Sequence, residues 1–227
     1  MPDKNQAIVL LSGGLDSATC LYWAKAKGWR LTALNILYGQ RHAREANSAR
    51  KLAKAAGIKC VELRLKIPWL KTSSLIDRRK KLPNMPVSKI GLGGIPSTYV
   101  PGRNTIFLAM AVSLAETARA SRVIIGSNSL DYSGYPDCRP VFNKAFERTA
   151  RLGTKVGAEG RGVSIVTPLI RMDKAKIVRL AKKLKVPLKY TWSCYLGGAR
   201  PCGKCDSCKL RAKGFAEAGI LDPARRS

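Results

Sequence analysis

Blocks of apolar residues alternate with stretches of helical composition along the chain. Residues 7–11 are five consecutive apolar residues, a pattern typical of a strand that is buried on both faces of a sheet. Further strands are predicted at 30–37, 58–65, 122–126 and 163–166, and helices at 18–27, 42–56, 105–120, 141–152, 173–185 and 207–218. Strands that alternate with helices of this length predict an α/β fold with a doubly wound, mostly parallel sheet.

The first strand leads into a turn that is suited to phosphate. Residues 12–17 read SGGLDS, and the two glycines allow the backbone to approach a ligand closely. The first amides of the following helix have no partner within the helix, and the helix dipole favours an anion there. A Walker A loop and a GxGxxG motif are excluded, because the residues that define them are missing. The alternative is an ordinary strand-to-helix turn with a Ser or Asp cap.

The SGGLDS turn resembles the pyrophosphate loop (PP-loop) of the N-type ATP pyrophosphatases. That resemblance implies ATP binding and transfer of AMP to a substrate oxygen, with release of pyrophosphate. The residues that it assigns to ATP are Leu10, Leu11, Ser12, Gly13, Gly14, Leu15, Asp16, Ser17, Ala18, Thr19 and Cys20. Asp16 would repel phosphate unless a cation lay between them, so we expect magnesium with the nucleotide; helix capping by Asp16 is the alternative.

The chain is strongly basic. Its 227 residues include 42 Lys and Arg against 14 Asp and Glu, which gives a net charge of +28. This charge permits a nucleic-acid partner without requiring one, since a charge bias of the source proteome and polyanionic small substrates would produce the same balance. The apolar runs are too short to span a membrane, and the N-terminus lacks a signal-peptide pattern. A cytoplasmic protein with no membrane partner is therefore expected.

Four of the seven cysteines lie close together near the end of the sequence. They are Cys194, Cys202, Cys205 and Cys208. Their spacing allows four thiolates to close a tetrahedral shell around one structural zinc ion. An iron–sulfur cluster and unliganded cysteines are the alternatives. Cys20 and Cys60 are expected in the core, whereas Cys138 is expected either to be a nucleophile or to support a neighbouring group.

Two polar segments follow predicted strands. His42, the only histidine, ends the YGQRH segment of residues 38–42 and is either a helix cap or a catalytic residue. Residues 131–139 read DYSGYPDCR, which concentrates carboxylates, tyrosines and a guanidinium suited to a planar heterocycle that carries a carboxylate. A well-ordered structural loop is the alternative. Because both segments follow strands of a parallel sheet, we expect them at its ligand-binding edge.

Five motifs together resemble the 7-cyano-7-deazaguanine synthase (QueC) family. They are SGGLDS at 12–17, YGQRH at 38–42, PGRN at 101–104, SGYPDCR at 133–139, and SCY with CGKCDSC at 193–195 and 202–208. They follow the family order over nearly the whole chain. The strong positive charge is the departure from the family pattern, and it leaves the motifs intact.

The resemblance implies a ligase that uses ATP to convert 7-carboxy-7-deazaguanine and ammonia to 7-cyano-7-deazaguanine, in queuosine biosynthesis. Activation gives the carboxylate a leaving group, ammonia then forms the amide, and a second activation of the amide oxygen allows the nitrile to form. The motifs include no glutaminase, so free ammonia is the expected donor. The choice between AMP and ADP as product stays open, as does the identity of any general acid or base.

The motifs provide candidate site residues, and the order of predicted elements provides an expected organisation of the chain. The candidate catalytic residues are Asp16, Ser17, His42 and Arg103, and the candidate substrate-binding residues are Arg41, Asp131, Tyr135, Asp137 and Arg139. We expect a PP-loop nucleotide-binding domain at 1–170, with a long insertion at 66–102, and a C-terminal helical zinc-binding segment at 171–227. A homodimer is expected. The alternatives are a PP-loop enzyme that modifies tRNA directly and a zinc-knuckle nucleic-acid-binding protein.

Overall fold

The computed structural model describes residues 2–41, 44–128 and 134–225. Its strands are β1 (Asp3–Leu10), β2 (Arg30–Leu37), β3 (Lys59–Arg64), β4 (Ala120–Ile124) and β5 (Ser164–Val166). Its helices are α1 (Leu15–Ala26), α2 (Arg44–Ala56), α3 (Arg103–Thr117), α4 (Pro140–Gly153), the short α5 (Lys155–Ala158), α6 (Lys174–Lys183) and α7 (Asp206–Glu217). Strands and helices alternate as the apolar pattern predicts.

The five strands form one parallel sheet in the order β3-β2-β1-β4-β5. The chain builds outward from β1 to β3 on one side, and then crosses β1 to add β4 and β5 on the other. Ligands of such sheets bind beyond the carboxyl ends of the strands, where the strand order reverses. That reversal lies between β1 and β4, so the fold places residues 12–17 where a ligand is expected.

Helices cover both faces of the sheet. Successive side chains of β1 alternate between the two faces, with Ala7 and Val9 in one core and Ile8 and Leu10 in the other. The first core is closed by α1, α2, α6 and α7, and the second by α3 and α4. Burial on both faces explains why the sequence of β1 is a continuous apolar run. The predicted doubly wound parallel fold is confirmed.

Several boundaries differ from the prediction. The first helix begins at Leu15, directly after the two glycines, and not at residue 18. The fourth strand spans Ala120–Ile124 and not 122–126. The reason is a left-handed residue, Arg119, whose φ of 57° ends α3 and turns the chain into β4. Among the described residues, no helix has both the length and the apolar character needed to cross a bilayer.

Residues 66–102 connect β3 to α3, and we refer to them as the insertion; that they are an insertion into a domain stays a prediction. Within this fully described segment the only regular structure is two 3₁₀ turns, Pro68–Thr72 and Val87–Lys89. The segment is fixed near its middle, where the Met85 amide donates to Asp206 Oδ1 at 2.8 Å. It therefore connects the sheet to the start of α7. The division of the chain at residue 170 stays a prediction.

Candidate functional site

A cleft of about 300 Å³ opens at the carboxyl edge of the sheet. Its walls come from the turn after β1, the end of β2, the start of α3, the segment after β4 and the segment before α7. Each of the five sequence motifs contributes at least one lining residue. The fold thus brings together motifs that lie far apart in the sequence.

The turn after β1 is held by its own hydroxyl groups. The Ser12 and Ser17 Oγ atoms are 3.0 Å apart, and the Gly14 amide lies 3.3 Å from Ser12 Oγ. The Ser17 hydroxyl also donates to the Gly14 carbonyl oxygen at 3.2 Å. The turn therefore gathers hydroxyl groups at the N-terminus of α1, where an anion is stabilised.

Two glycines allow the backbone to pack closely around this turn. Gly13 has a φ of 92°, and a Cβ at this position would lie 2.8 Å from the Ala49 amide nitrogen. A Cβ on Gly126, just after β4, would lie 3.2 Å from the Ser17 amide nitrogen. The motif predicts the first glycine, but the sequence around Gly126 has no feature that distinguishes it from an ordinary loop glycine.

Apart from Gly13, the residues that sequence analysis assigns to ATP fall into two groups. Those in the cleft wall are Leu10, Leu11, Ser12, Gly14, Leu15, Asp16 and Ser17. Ala18, Thr19 and Cys20 are fully buried in α1. The Thr19 hydroxyl donates to the Leu15 carbonyl oxygen at 2.8 Å, and burial, followed by the charge of Asp16, raises the pKa of Cys20. Nucleotide contacts by this second group stay a prediction.

Asp16 is the centre of a polar network in the cleft. Its Oδ2 accepts from Lys174 Nζ at 2.5 Å and from Asn128 Nδ2 at 2.9 Å. Its Oδ1 is buried and has no hydrogen-bond partner among the described residues. Lys174 lies in the first turn of α6, a helix whose N-cap is Asp173. The carboxylate therefore has one neutralised oxygen and one oxygen that can still accept a hydrogen bond or bind a cation.

A second group of charged side chains lies across the cleft. Arg103, the first residue of α3, places Nη1 3.5 Å from Tyr38 Oη. Burial raises the pKa of Glu45, in the first turn of α2, to about 7, and the nearby Arg103 opposes this rise. Burial by itself would lower the pKa of Arg103, but its neighbours, Tyr38 foremost, raise it by more. The guanidinium therefore stays charged while the carboxyl titrates near neutrality.

Tyr135 and Cys138 bring the polar segment after β4 into the cleft wall. The Tyr135 hydroxyl is 2.7 Å from Thr98 Oγ1 of the insertion. Cys138 is buried, and its Sγ accepts from Asn104 Nδ2 at 3.2 Å. Asp131, which belongs to the same predicted substrate site, lies outside the described residues, as does His42.

Asp137 and Arg139 are not part of the cleft wall. Asp137 is buried, and its Oδ2 accepts from the Asn104 amide at 2.9 Å at the start of α3. Arg139 is exposed, and its Nε donates to the Pro136 carbonyl oxygen at 3.2 Å. The Asp137 carboxylate therefore holds the N-terminal end of α3, beside Arg103. Direct substrate contacts by Asp137 and Arg139 stay a prediction.

Arg41 lines the cleft but also holds the insertion. Its guanidinium donates to the Asp77 carbonyl oxygen at 2.6 Å and contacts the Lys80 carbonyl oxygen. Arg78 donates in return to the Arg41 carbonyl oxygen at 2.9 Å. The Arg41 Nε is buried and has no partner among the described residues. Part of the Arg41 guanidinium thus fixes the insertion. The role of Arg41 in substrate binding stays a prediction.

The four clustered cysteines meet at one point. The sulfur atoms of Cys194, Cys202, Cys205 and Cys208 all lie within 4.8 Å of one another. The Cys202 and Cys208 sulfurs are 3.9 Å apart, close to the roughly 3.8 Å edge of a tetrahedron with metal–sulfur bonds of about 2.3 Å. The Cys205 amide donates to Cys202 Sγ at 3.3 Å. The cluster can hold a metal ion.

The segment before α7 contributes a wall of the cleft that sequence analysis did not predict. Trp192 and Tyr195 flank the first cysteine and line the cleft, as does Arg211 of α7. The Trp192 amide donates to the Gly13 carbonyl oxygen at 2.9 Å. Arg211 is buried and makes paired hydrogen bonds to Asp222 at 2.7 and 2.8 Å. The cysteine-rich segment is therefore joined directly to the turn after β1.

Comparison with known proteins agrees with the five motifs. The family described as "Queuosine biosynthesis protein QueC" matches residues 6–219. A 7-cyano-7-deazaguanine synthase of Trichodesmium erythraeum is 50% identical over 96% of this chain and 99% of that protein. One from Synechococcus elongatus is 51% identical over 94% of this chain and 92% of that protein.

A solved structure shares the fold at much lower identity. The NMN synthetase of Francisella tularensis superposes with a TM-score of 0.53 and 16% identity, over 97% of this chain and 79% of that chain. This likeness supports the fold alone. The family match, the two relatives and the convergence of the motifs in one cleft lead to the same conclusion: this chain belongs to the QueC family.

Proposed function

We propose that this chain uses ATP to convert 7-carboxy-7-deazaguanine and ammonia to 7-cyano-7-deazaguanine, on the route to queuosine. The observation that carries the proposal is the single cleft in which all five family motifs meet. The cleft is concave and partly apolar, and it has a few convergent charged groups, as a site for a small planar substrate requires.

The turn after β1 would bind the phosphates of ATP. Ser12, Ser17 and the N-terminal amides of α1 supply donors, and Lys174 supplies a positive charge within the same wall. A magnesium ion fits here because Asp16 Oδ1 is a buried oxygen that lacks a partner among the described residues. Asp16 would hold that ion against the phosphates. Its chemical contribution when bound is to neutralise charge on the phosphate oxygens.

The deazaguanine would lie between Tyr135 and the start of α3. Tyr135, Phe107 and Tyr38 offer aromatic surfaces in the wall, and Arg103 offers a permanent cation for the substrate carboxylate. Asp137 would act on this subsite through α3, since its carboxylate is bonded to the Asn104 amide. Direct contacts by Arg41, Arg139, Asp131 and His42 belong to the same proposal.

The four-cysteine cluster would hold one zinc ion. The donor set consists of four sulfur atoms at a spacing that matches tetrahedral zinc, and a closed shell of this kind leaves no position for substrate. The ion would then act structurally, by fixing the wall formed by Trp192 and Tyr195. An iron–sulfur cluster is distinguished by metal analysis and by its visible absorption.

The activity is tested with purified protein, ATP, magnesium, ammonium and 7-carboxy-7-deazaguanine. Mass spectrometry should show the nitrile, with the amide as an earlier species that decays. Omission of ammonium should abolish both products, and omission of ATP should do the same. Failure to form either product with all components present would overturn the proposed function.

A nucleic-acid substrate is the second candidate, favoured by the net charge of +28. A PP-loop enzyme acting on tRNA, or a zinc-knuckle binding protein, would retard tRNA in a gel at physiological salt, with an affinity that falls steeply as salt increases. A small-molecule ligase would not need such binding. We propose a homodimer as the state in solution, which sedimentation equilibrium measures directly.

A further inference from the structure

Glu45 is a carboxyl group of the cleft wall to which the site described above gives no role. It lies in the first turn of α2, directly behind the turn after β1, since its carbonyl oxygen is the atom that a Cβ on Gly13 would meet. Glu45 lines the same cleft as Asp16 and Arg103. Negative charges repel one another, so an acidic residue beside phosphates and a substrate carboxylate is unfavourable. The presence of Glu45 in this cleft therefore needs a physical reason.

The surroundings of Glu45 differ from those of Asp16. Asp16 is paired with Lys174 at 2.5 Å, so its charge is neutralised. The Glu45 carboxyl has no ion pair within 4.0 Å and no hydrogen bond among the described residues, and Arg103 is the cation close enough to act on it. The cleft thus holds two carboxyl groups in different environments, a common arrangement where one of them handles protons.

We propose that Glu45 is the general base that accepts the proton lost by nitrogen when ammonia attacks the activated carboxyl carbon. This inference rests on the proposed function. The attack forms a carbon–nitrogen bond, and the nitrogen then bears a positive charge. Transfer of one proton from that nitrogen to the Glu45 carboxylate leaves a neutral amine, and the carbon–oxygen bond to the nucleotide breaks with its electron pair. Glu45 returns the proton to water, so that the amide, the nucleotide and one proton are the balanced products.

The protonation behaviour of Glu45 suits this task. Burial raises its pKa to about 7 and Arg103 opposes the rise, so a large fraction of the group is ionised at neutral pH and can still gain a proton. Among the described residues, the Tyr38 hydroxyl and the Arg103 guanidinium are the titratable or charged groups that face the Glu45 carboxyl. Arg41, Asp16, Lys174 and Arg211 complete the charged groups of the described cleft wall.

The test compares Glu45→Gln with wild type in the amide-forming step. Ammonium is adjusted at each pH so that free ammonia is constant. Wild type should show a rate that rises with pH through about 7, because the base must be ionised. The variant should lose this rise and react about 10²-fold more slowly, the usual contribution of a general base. ATP binding by the variant, measured by calorimetry, should stay within about threefold of wild type.

Three further variants make the result decisive. Glu45→Asp keeps a carboxylate and should recover part of the rate and the pH dependence. Glu217→Gln removes an exposed carboxylate at the end of α7, 3.7 Å from Lys213, and should match wild type. His42→Gln tests the only histidine of the chain, a residue type whose unperturbed pKa is about 6.5. Loss of the pH dependence in His42→Gln together with its retention in Glu45→Gln would overturn the inference, as would a Glu45→Gln rate equal to wild type. A wild-type protein that forms no product would instead overturn the proposed function.

Discussion

Replacement of Lys174 by methionine should weaken ATP binding. The ammonium is 2.5 Å from Asp16 Oδ2, and the two side chains are only 18% and 21% exposed. In the variant, the Asp16 carboxylate would keep its charge beside the phosphate site without the Lys174 ammonium that neutralises its Oδ2. Two unit charges 4 Å apart interact by about 4 kcal/mol at an effective dielectric constant of about 20. Hydrogen bonds to charged groups contribute about 1.5–3 kcal/mol in proteins, and we adopt this smaller range.

A loss of about 1.5–3 kcal/mol of binding free energy corresponds to a Kd for ATP that is about 10- to 150-fold higher. Isothermal titration of magnesium–ATP into wild type and Lys174→Met measures it. The matched control is Lys182→Met, which removes the same charge from an exposed position in the last turn of the same helix. This control should change the Kd by less than about twofold, because an exposed distant charge is screened by salt.

A double variant separates the local effect from a general loss of stability. Asp16→Asn removes the charge that Lys174 neutralises, so Lys174→Met should raise the Kd for ATP less in an Asp16→Asn background than in the wild type. Equal Kd values for Lys174→Met and Lys182→Met would refute the reasoning. Strictly additive effects of the two substitutions would show that the ion pair has no part in nucleotide binding.

The remaining predictions concern the phosphate turn, the metal and a pH effect. Asp16→Ala and Ser17→Ala should lose ATP-dependent turnover with an unchanged circular dichroism spectrum; near-normal rates in both would show that the turn is only structural. Cys205→Ser should lower the zinc content below one ion per chain and reduce the melting temperature, measured by metal analysis and calorimetry, because it opens a closed shell. Glu45 has a folded-state pKa of about 7 against 4.5 in the unfolded chain, so stability should fall as pH rises from about 4.5 to 7, by at most about 3 kcal/mol. Glu45→Gln should flatten this part of a urea-denaturation profile, and an unchanged slope would contradict the assigned pKa.

The sheet and the phosphate turn could be predicted because their signals are local. A buried parallel strand is a continuous apolar run, and the following turn carries its own glycines and hydroxyls, so residues 7–17 predict both. The ends of elements were less predictable. Arg119 adopts a left-handed conformation that its residue type does not predict. Because of this conformation, β4 begins two positions earlier than predicted.

Partners across the cleft could not be predicted from the sequence. Lys174 is one of 42 basic residues, and only the packing of α6 against α1 brings its ammonium to Asp16. The position of Asn128 next to the same carboxylate depends on the alignment of β4 with β1. The residue type of Asp137 predicts a hydrogen-bond acceptor, and the fold directs its Oδ2 to the Asn104 amide. The residue types predict that these side chains can form hydrogen bonds or ion pairs. The tertiary structure determines which partner each side chain has.

The hydrogen bond from the Trp192 amide to the Gly13 carbonyl oxygen has a consequence for the order of events during synthesis. On the ribosome, the phosphate turn emerges roughly 10–40 s before the segment that contains Trp192. Until then the cleft lacks the wall that carries Trp192, Tyr195 and Arg211. A nascent chain can therefore form its sheet early, yet it completes its cleft only when the cysteine-rich segment has been made and has docked.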